Sequence, residues 1–163
     1  MPAPATVTLD GDTTIVVTRD FDASPAQVWR AHTEPALLQR WLLGPPRWEM
    51  HVCEVDFRPG GSYRWRWRNL DTGQDFGFDG EILEFDRPRR MVERQTYIPG
   101  TVGGEMGTCE NTITFTETDT GTQMVTRITY ADKATLEAAM ATGMTDGMEM
   151  SYALLDGVIA DAA

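Results

Sequence analysis

Arg58-Pro59-Gly60-Gly61-Ser62-Tyr63-Arg64-Trp65-Arg66-Trp67-Arg68, followed two residues later by Asp71-Thr72-Gly73, reads as one strand held between two tight turns. Period 2 puts Tyr63, Trp65 and Trp67 on one face and the three arginines on the other. A strand with one apolar and one charged face belongs to an antiparallel sheet that is covered on one side only. The neighbouring segments repeat the theme. His51 to Phe57 runs into the first turn and Phe76 to Phe85 leaves the second. Arg89 to Ile98, Thr108 to Glu117 and Thr122 to Tyr130 follow, the last two joined by Asp119-Thr120-Gly121. Consecutive hairpins of this kind make a meander, not βαβ units.

Upstream, Thr13 to Phe21 is β-branched and apolar and predicts a first strand. Ser24-Pro25 marks a helix start, with Ser24 as N-cap and Pro25 at the first helical position. Glu34-Pro35 interrupts this helix, a second short one runs from Ala36 to Leu43, and Gly44-Pro45-Pro46 ends it. Downstream, Leu136, Met140, Met144 (or Gly143), Met148 (or Gly147), Ser151, Leu155 (or Leu154) and Val158 recur at helical spacing, which predicts one long helix from an Asp132 N-cap to about Asp161, in which the costly Gly143 and Gly147 allow close packing or a bend. The expected fold class is therefore α+β, with one domain over residues 13–161 and a flexible segment over 1–12. A sheet with one exposed face needs a cover for the other, and the terminal helix is the large element available.

With 163 residues the chain is long enough for a core without disulfide or metal staples. Lysine and arginine number 14 against 25 aspartate and glutamate, a net charge of −11 that opposes nucleic acid and anionic membrane as partners. Cys53 and Cys109 are far apart and read as buried free thiols of a reducing, cytoplasmic compartment. No signal-peptide pattern and no apolar run of membrane-spanning length is present.

The candidate site is the space between sheet and helix. Tyr63, Trp65 and Trp67 form one wall, continued by Phe76, Phe78 and Ile82 on the next strand, with Gly80 leaving a gap, and by Cys53, Val55 and Phe57 on the strand before. Trp29 and Trp41 from the short helices and Met140, Met144 and Met148 from the terminal helix complete the lining. These side chains read first as plain core, with the wall of a deformable pocket as the alternative. On the 89–98 strand Met91, Glu93, Gln95 and Tyr97 share one face, and Val92, Arg94, Thr96 and Ile98 the other. If Met91 points inward, Glu93 and Gln95 enter the cavity. A carboxylate there is desolvated and able to act as a general acid or base. His32 beside Val28 and Trp29 reads as a satisfied, part-buried histidine, and His51 stands alone. Two separated histidines and cysteines predict no metal site, and no esterase elbow or phosphate loop is present. Ile98-Pro99-Gly100-Thr101-Val102-Gly103-Gly104 reads as a mobile lid.

Four stretches together resemble the SRPBCC (START-like) superfamily, and in particular the C-terminal domain family of the activator of heat-shock-protein-90 ATPase. They are Arg19-Asp20-Phe21-Asp22-Ala23-Ser24-Pro25 with Val28-Trp29-Arg30-Ala31; Thr33-Glu34-Pro35 with Leu37-Leu38 and Arg40-Trp41; Val55-Asp56-Phe57-Arg58-Pro59-Gly60-Gly61; and Gly143-Met144-Thr145-Asp146-Gly147-Met148 with Ser151-Tyr152 and Leu154-Leu155-Asp156. The resemblance implies a helix-grip fold, a curved sheet of about seven strands gripping a long C-terminal helix over a hydrophobic cavity. It supplies no catalytic set. The eukaryotic co-chaperone has a further N-terminal domain for which this chain has no room, so a chaperone partner is not carried over with the family name.

Three functions are thereby expected to compete. The first is binding of a small hydrophobic or amphipathic molecule, without a cofactor. The second is a cyclase or hydrolase using a cavity carboxylate, Glu93. The third is a chaperone-associated or stress-response interaction module. A homodimer is compatible with each.

Overall fold

The computed structural model describes residues 3–43, 46–101 and 107–162. Eight strands form one antiparallel sheet in the order β1-β2-β8-β7-β6-β5-β4-β3. They are β1 (Thr6–Asp10), β2 (Thr14–Phe21), β3 (Trp48–Val55), β4 (Ser62–Asn69), β5 (Asp75–Asp86), β6 (Arg90–Ile98), β7 (Thr108–Glu117) and β8 (Thr122–Thr129). The expected meander is β3 to β8. The count is eight instead of about seven because Thr6–Asp10, placed outside the domain by its weak pattern, pairs with β2 from Thr6 opposite Thr18 to Asp10 opposite Thr14. All five of its residues are exposed, so no burial periodicity marks it as a strand.

The chain crosses from β2 to the far edge strand β3 through α1 (Pro25–Thr33) and α2 (Pro35–Trp41). Ser24 caps α1 by accepting from the Gln27 amide, and Gln27 Oε1 accepts from the Ser24 amide in return. This capping box and Pro25 start the helix, and Pro35 forces a second start after Glu34. Irregularities at Met50/Val52 on β3 and Ile82/Glu84 on β5 bend the sheet.

The long terminal helix is two helices. α3 (Lys133–Ala141) begins at Asp132, whose carboxylate accepts from the Thr135 amide, and α4 (Met144–Ala162) follows after Gly143 at φ 77°. That left-handed conformation stops α3, and glycine adopts it without penalty. The periodicity of the apolar residues runs through the break, so the pattern alone reads as one helix.

The core lies between α1, α2, α4 and the concave face of the sheet, with Val28, Leu38, Leu155, Ile15 and Phe21 among its least exposed members. Arg19 shares the inward face of β2 with Val17 and Phe21, and is only 3% exposed. Its guanidinium donates to both Glu149 oxygens at 3.2 and 3.1 Å and to both Asp156 oxygens at 2.7 and 3.0 Å. Glu149 also accepts from the Ala5 amide at 2.7 Å, which ties the N-terminal segment to α4. Burial opposes the Arg19 charge, and the bonds to Asp156 and Glu149 outweigh it, so the arginine is held more firmly protonated than usual.

His32 is buried between Trp41 and Phe115, with ring centroids at 4.8 and 5.3 Å, and its Nδ1 lies 2.7 Å from the Val28 carbonyl. Burial lowers its pKa from 6.5 to about 4 despite that bond. The folded protein thus keeps His32 neutral where the unfolded chain protonates it.

Two outcomes are expected from these contacts. Arg19→Leu should lower the unfolding free energy in urea by about 3 kcal/mol, the lower end for a broken buried pair, because Glu149 and Asp156 sit partly in solvent and can hydrate. His32 should make stability fall as pH drops from 6.5 towards 4. His32→Phe should flatten that acid limb in thermal melts; an unchanged slope would assign it to other groups.

Candidate functional site

The concave face carries a polar cluster where β4, β6 and β7 meet. Met91 does point inward, so Glu93 and Gln95 share its face, and Glu93 is 3% exposed. Opposite Glu93 on β7 stands Asn111, and opposite Gln95 stands Cys109. Tyr63 reaches them across β5 because Gly80 separates the two strands without a side chain. A Cβ at Gly80 would lie 1.9 Å from the Tyr63 ring. The gap expected at Gly80 is thus filled by that ring.

Hydrogen bonds close the cluster into a circuit. Gln95 Nε2 donates to the Tyr63 hydroxyl at 2.7 Å, and Tyr63 donates to Glu93 Oε1 at 2.9 Å. Asn111 Nδ2 donates to the same Oε1 at 3.0 Å and to Gln95 Oε1 at 3.3 Å. The Cys109 thiol donates to Asn111 Oδ1 at 3.5 Å. Burial raises the Glu93 pKa, against the lowering effect of its two donors. Burial and then the Glu93 charge hold the Tyr63 hydroxyl well above its usual range. The same causes push the Cys109 thiol up to about 12, so it is a neutral thiol and no nucleophile.

Beside this cluster the aromatic wall is only partly covered. Trp65 stacks on Tyr63 with centroids 4.0 Å apart, Phe78 meets Tyr97 at 5.4 Å, and Phe76 stacks on Trp67 at 5.1 Å. Trp65, Phe76, Phe78 and Tyr97 all keep intermediate exposure although they lie on the inward face. Trp65 Nε1 has no hydrogen-bond partner among the described residues. Met140, Met144 and Met148 are likewise partly buried against the core, and the Tyr130 hydroxyl lies 3.4 Å from Met144 Sδ.

The remaining candidates divide differently. Trp67 is buried and donates to the Leu42 carbonyl at 2.6 Å. Trp41 belongs to the packed core, donating to the Ala31 carbonyl at 2.9 Å beside His32 and Tyr152, away from the polar cluster. Met91 is 2% exposed core. Trp29 packs on Phe85 and Phe115, and Phe57 sits between Phe85 and Tyr63 at 6.3 and 6.1 Å. Part of the expected lid, residues 102–104, lies outside the described residues. Asn111 and Cys109 belong to the candidate site although the sequence reading did not place them there. Their signal was the alternation of Cys109, Asn111, Ile113 and Phe115 on β7, in which a polar residue takes an inward position. Among the described residues no three of His, Cys, Asp and Glu gather as a metal site. No described helix is long and apolar enough to cross a membrane.

A curved antiparallel sheet closed by a C-terminal helix over a partly open concave face is the helix-grip architecture of the SRPBCC superfamily. Within it, residues 22–160 match the model of the Activator of Hsp90 ATPase homolog 1-like protein family, and the chain belongs to that family. The fold is shared with a Rhodobacter sphaeroides crystal structure at 27% identity and TM-score 0.88, covering 96% of this chain and 99% of the other. A Mycobacterium smegmatis protein is similar at 27% identity and TM-score 0.83, over 95% of this chain and 96% of its own. The AHSA1-like protein of Aeromonas hydrophila, at 18% identity and TM-score 0.70 over 90% and 94% of the two chains, shares the fold. A comparison with curated proteins finds no significant match. Folds of this kind commonly bind hydrophobic ligands.

The raised Glu93 pKa has a measurable consequence. The unfolded glutamate ionises near 4.5 while the folded one keeps its proton to higher pH, so stability is lost as pH rises from 4.5 through the folded value. Glu93→Gln should therefore gain on the wild type in urea midpoint as pH rises across that window. A constant difference would mean that Glu93 is ionised throughout.

Proposed function

We propose that this protein is a cytoplasmic binding module for a small amphipathic molecule, held on the concave face between the sheet and the terminal helices. The observation that carries the reading is a buried, self-satisfied polar circuit set beside aromatic side chains that the fold leaves partly uncovered. Partial exposure of aromatic side chains is common on proteins, and what supports the reading is that these lie together on the inward face of the sheet, beside buried polar groups. Here Trp65, Phe78 and Tyr97 keep a face open next to Gln95, the one member of the circuit with intermediate exposure. The apolar body of a ligand would lie on those rings. Its polar group would meet the Gln95 amide. Pockets of this character bind through apolar area and are oriented by a few polar groups.

A second reading, a cyclase or hydrolase, is favoured by one observation, the inward Glu93 with its raised pKa. Such an acid can donate a proton to a substrate oxygen. Both described donors to Glu93 converge on Oε1, an arrangement that suits an orienting group as well as a reacting one. The interaction-module reading has weaker support. The exposed large apolar residues Val7, Leu9, Leu70, Met150 and Leu154 are scattered over β1, the β4–β5 turn and α4.

Titration with the neutral fluorophore N-phenyl-1-naphthylamine checks the binding reading. Saturable binding is expected, weakened about tenfold by Trp65→Ala and unaffected by Leu70→Ala on the outside. Absence of saturable binding to the wild type would remove the proposal.

A further inference from the structure

In a chain with 25 carboxylates and 14 cationic side chains, almost every cation has found a carboxylate. Arg19, Arg30, Arg40, Arg47, Arg58 and Arg64 are ion-paired, and so are Arg66, Arg68, Arg89, Arg90, Arg94, Arg127 and Lys133. Among the described residues the exception is Arg87. Its guanidinium carbon lies 5.9 Å over the Phe85 ring, a contact that leaves its donors unused. With acidic residues in such excess, an arginine without an ion pair stands where the neighbouring carboxylates are taken by other cations.

That place is a cleft of about 820 Å³ between α1–α2 and the turns after β3 and β5. Its apolar lining includes Trp29, Pro35, Val55, Phe57 and Pro88. Its other charged side chains are already engaged: Arg30 with Glu34 at 2.8 Å, and Asp56 with Arg58 at 2.9 Å. Arg87 is therefore the one charged side chain of the described lining without an ion-pair partner, and it stands beside an apolar floor. The cleft also borders the candidate site through shared neighbours. Val55 and Phe57 line the cleft, Val55 pairs with Tyr63 across β3 and β4, and Phe57 lies between Phe85 and Tyr63.

We infer that this cleft is the anion subsite of the ligand site, and that the ligand is an apolar acid. Its single anionic head, a carboxylate, sulfonate or phosphate ester, pairs with Arg87, and its apolar body passes Trp29 and Phe57 towards the aromatic wall. The inference deepens the ligand-binding reading and rests on it. Arginine suits the role because its planar fork meets such heads with two parallel hydrogen bonds. The net charge of −11 repels anions from the rest of the surface, so selectivity for an acid requires a local exception to that charge, and Arg87 is one.

Two probes with the same ring system separate the claims: 8-anilinonaphthalene-1-sulfonate, which carries the sulfonate, and N-phenyl-1-naphthylamine, which lacks it. Fluorescence titrations of the wild type, Arg87→Gln and Arg89→Gln are compared at low and high salt. Arg87→Gln should weaken the sulfonate probe about tenfold and leave the neutral one unchanged, and salt should weaken only the sulfonate. Arg89→Gln, which removes an equal exposed charge paired to Asp86, should leave both probes unchanged. Equal loss in the two variants, equal loss of both probes, or no loss at Arg87 would overturn the inference. Failure of the neutral probe to bind the wild type would instead strike the ligand-binding reading itself.

Discussion

Arg19 sits on the inward face of β2, and its charge has to be answered from across the core. Glu149 and Asp156 answer it from α4, two helical turns apart on one side of that helix. Four hydrogen bonds at fixed guanidinium geometry set both the position and the rotation of α4 over β2 and β8. Tyr152, Leu155, Val158 and Ile159 then face α1, α2 and the sheet as core. On β4 to β6 the inward aromatics Trp65, Phe76, Phe78 and Tyr97 keep partial exposure. Replacing the Arg19 ion pair by an apolar contact would cost little stability in principle, but it would remove the directional constraint on α4.

The polar circuit depends on a different constraint, the absence of a side chain at Gly80. Only there can the Tyr63 ring cross β5 and bring its hydroxyl to Glu93 and Gln95 two strands away. Each partner fixes another: Gln95 occupies the Tyr63 acceptor, so Tyr63 donates to Glu93, and Asn111 spends both amide hydrogens on Glu93 and Gln95. A buried acid supported this way is oriented, not merely tolerated, since an unsatisfied one would be costly. It also gives the face a chemical direction, with a polar end at β6–β7 and an apolar stretch along β4–β5.

Much of this was legible in the sequence, for physical reasons that differ by element. The meander could be read because β4 alternates without interruption and its turns carry the glycines such turns need. The α1 start could be read because Ser24, Pro25 and Gln27 act locally. Strand β1 could not, since an exposed edge strand has no buried face to leave a period. The break at Gly143 was signalled only by the cost of a glycine inside a helix, since Leu136, Met140, Met144 and Met148 keep helical spacing across it. The site was half legible. Alternation put Glu93 with Met91 but left open which way that face turned, and register is decided by pairing partners distant in sequence. Asn111 and the clamp residue Arg19 were missed, although each breaks an otherwise apolar alternation on its strand. A lone polar residue at an inward position is itself the signal, because burial without a partner would not be stable.

That rule also bears on how the chain distributes charge. An acidic protein gains solubility from its excess carboxylates and loses compactness to their repulsion. Its few cations are therefore spent where they relieve that repulsion, on exposed pairs across adjacent strands such as Arg68 with Glu49 and Arg90 with Glu84. Exposed pairs of this kind contribute little individually. The buried fork at Arg19 is different in kind, since it holds an element in place. Arg87 fits neither use. It relieves no described carboxylate and joins no described pair, and it stands where the apolar face reaches the surface beside Phe85. Structural needs thus account for every other described cation, and what remains at Arg87 is a charge free to meet something that comes from outside the chain.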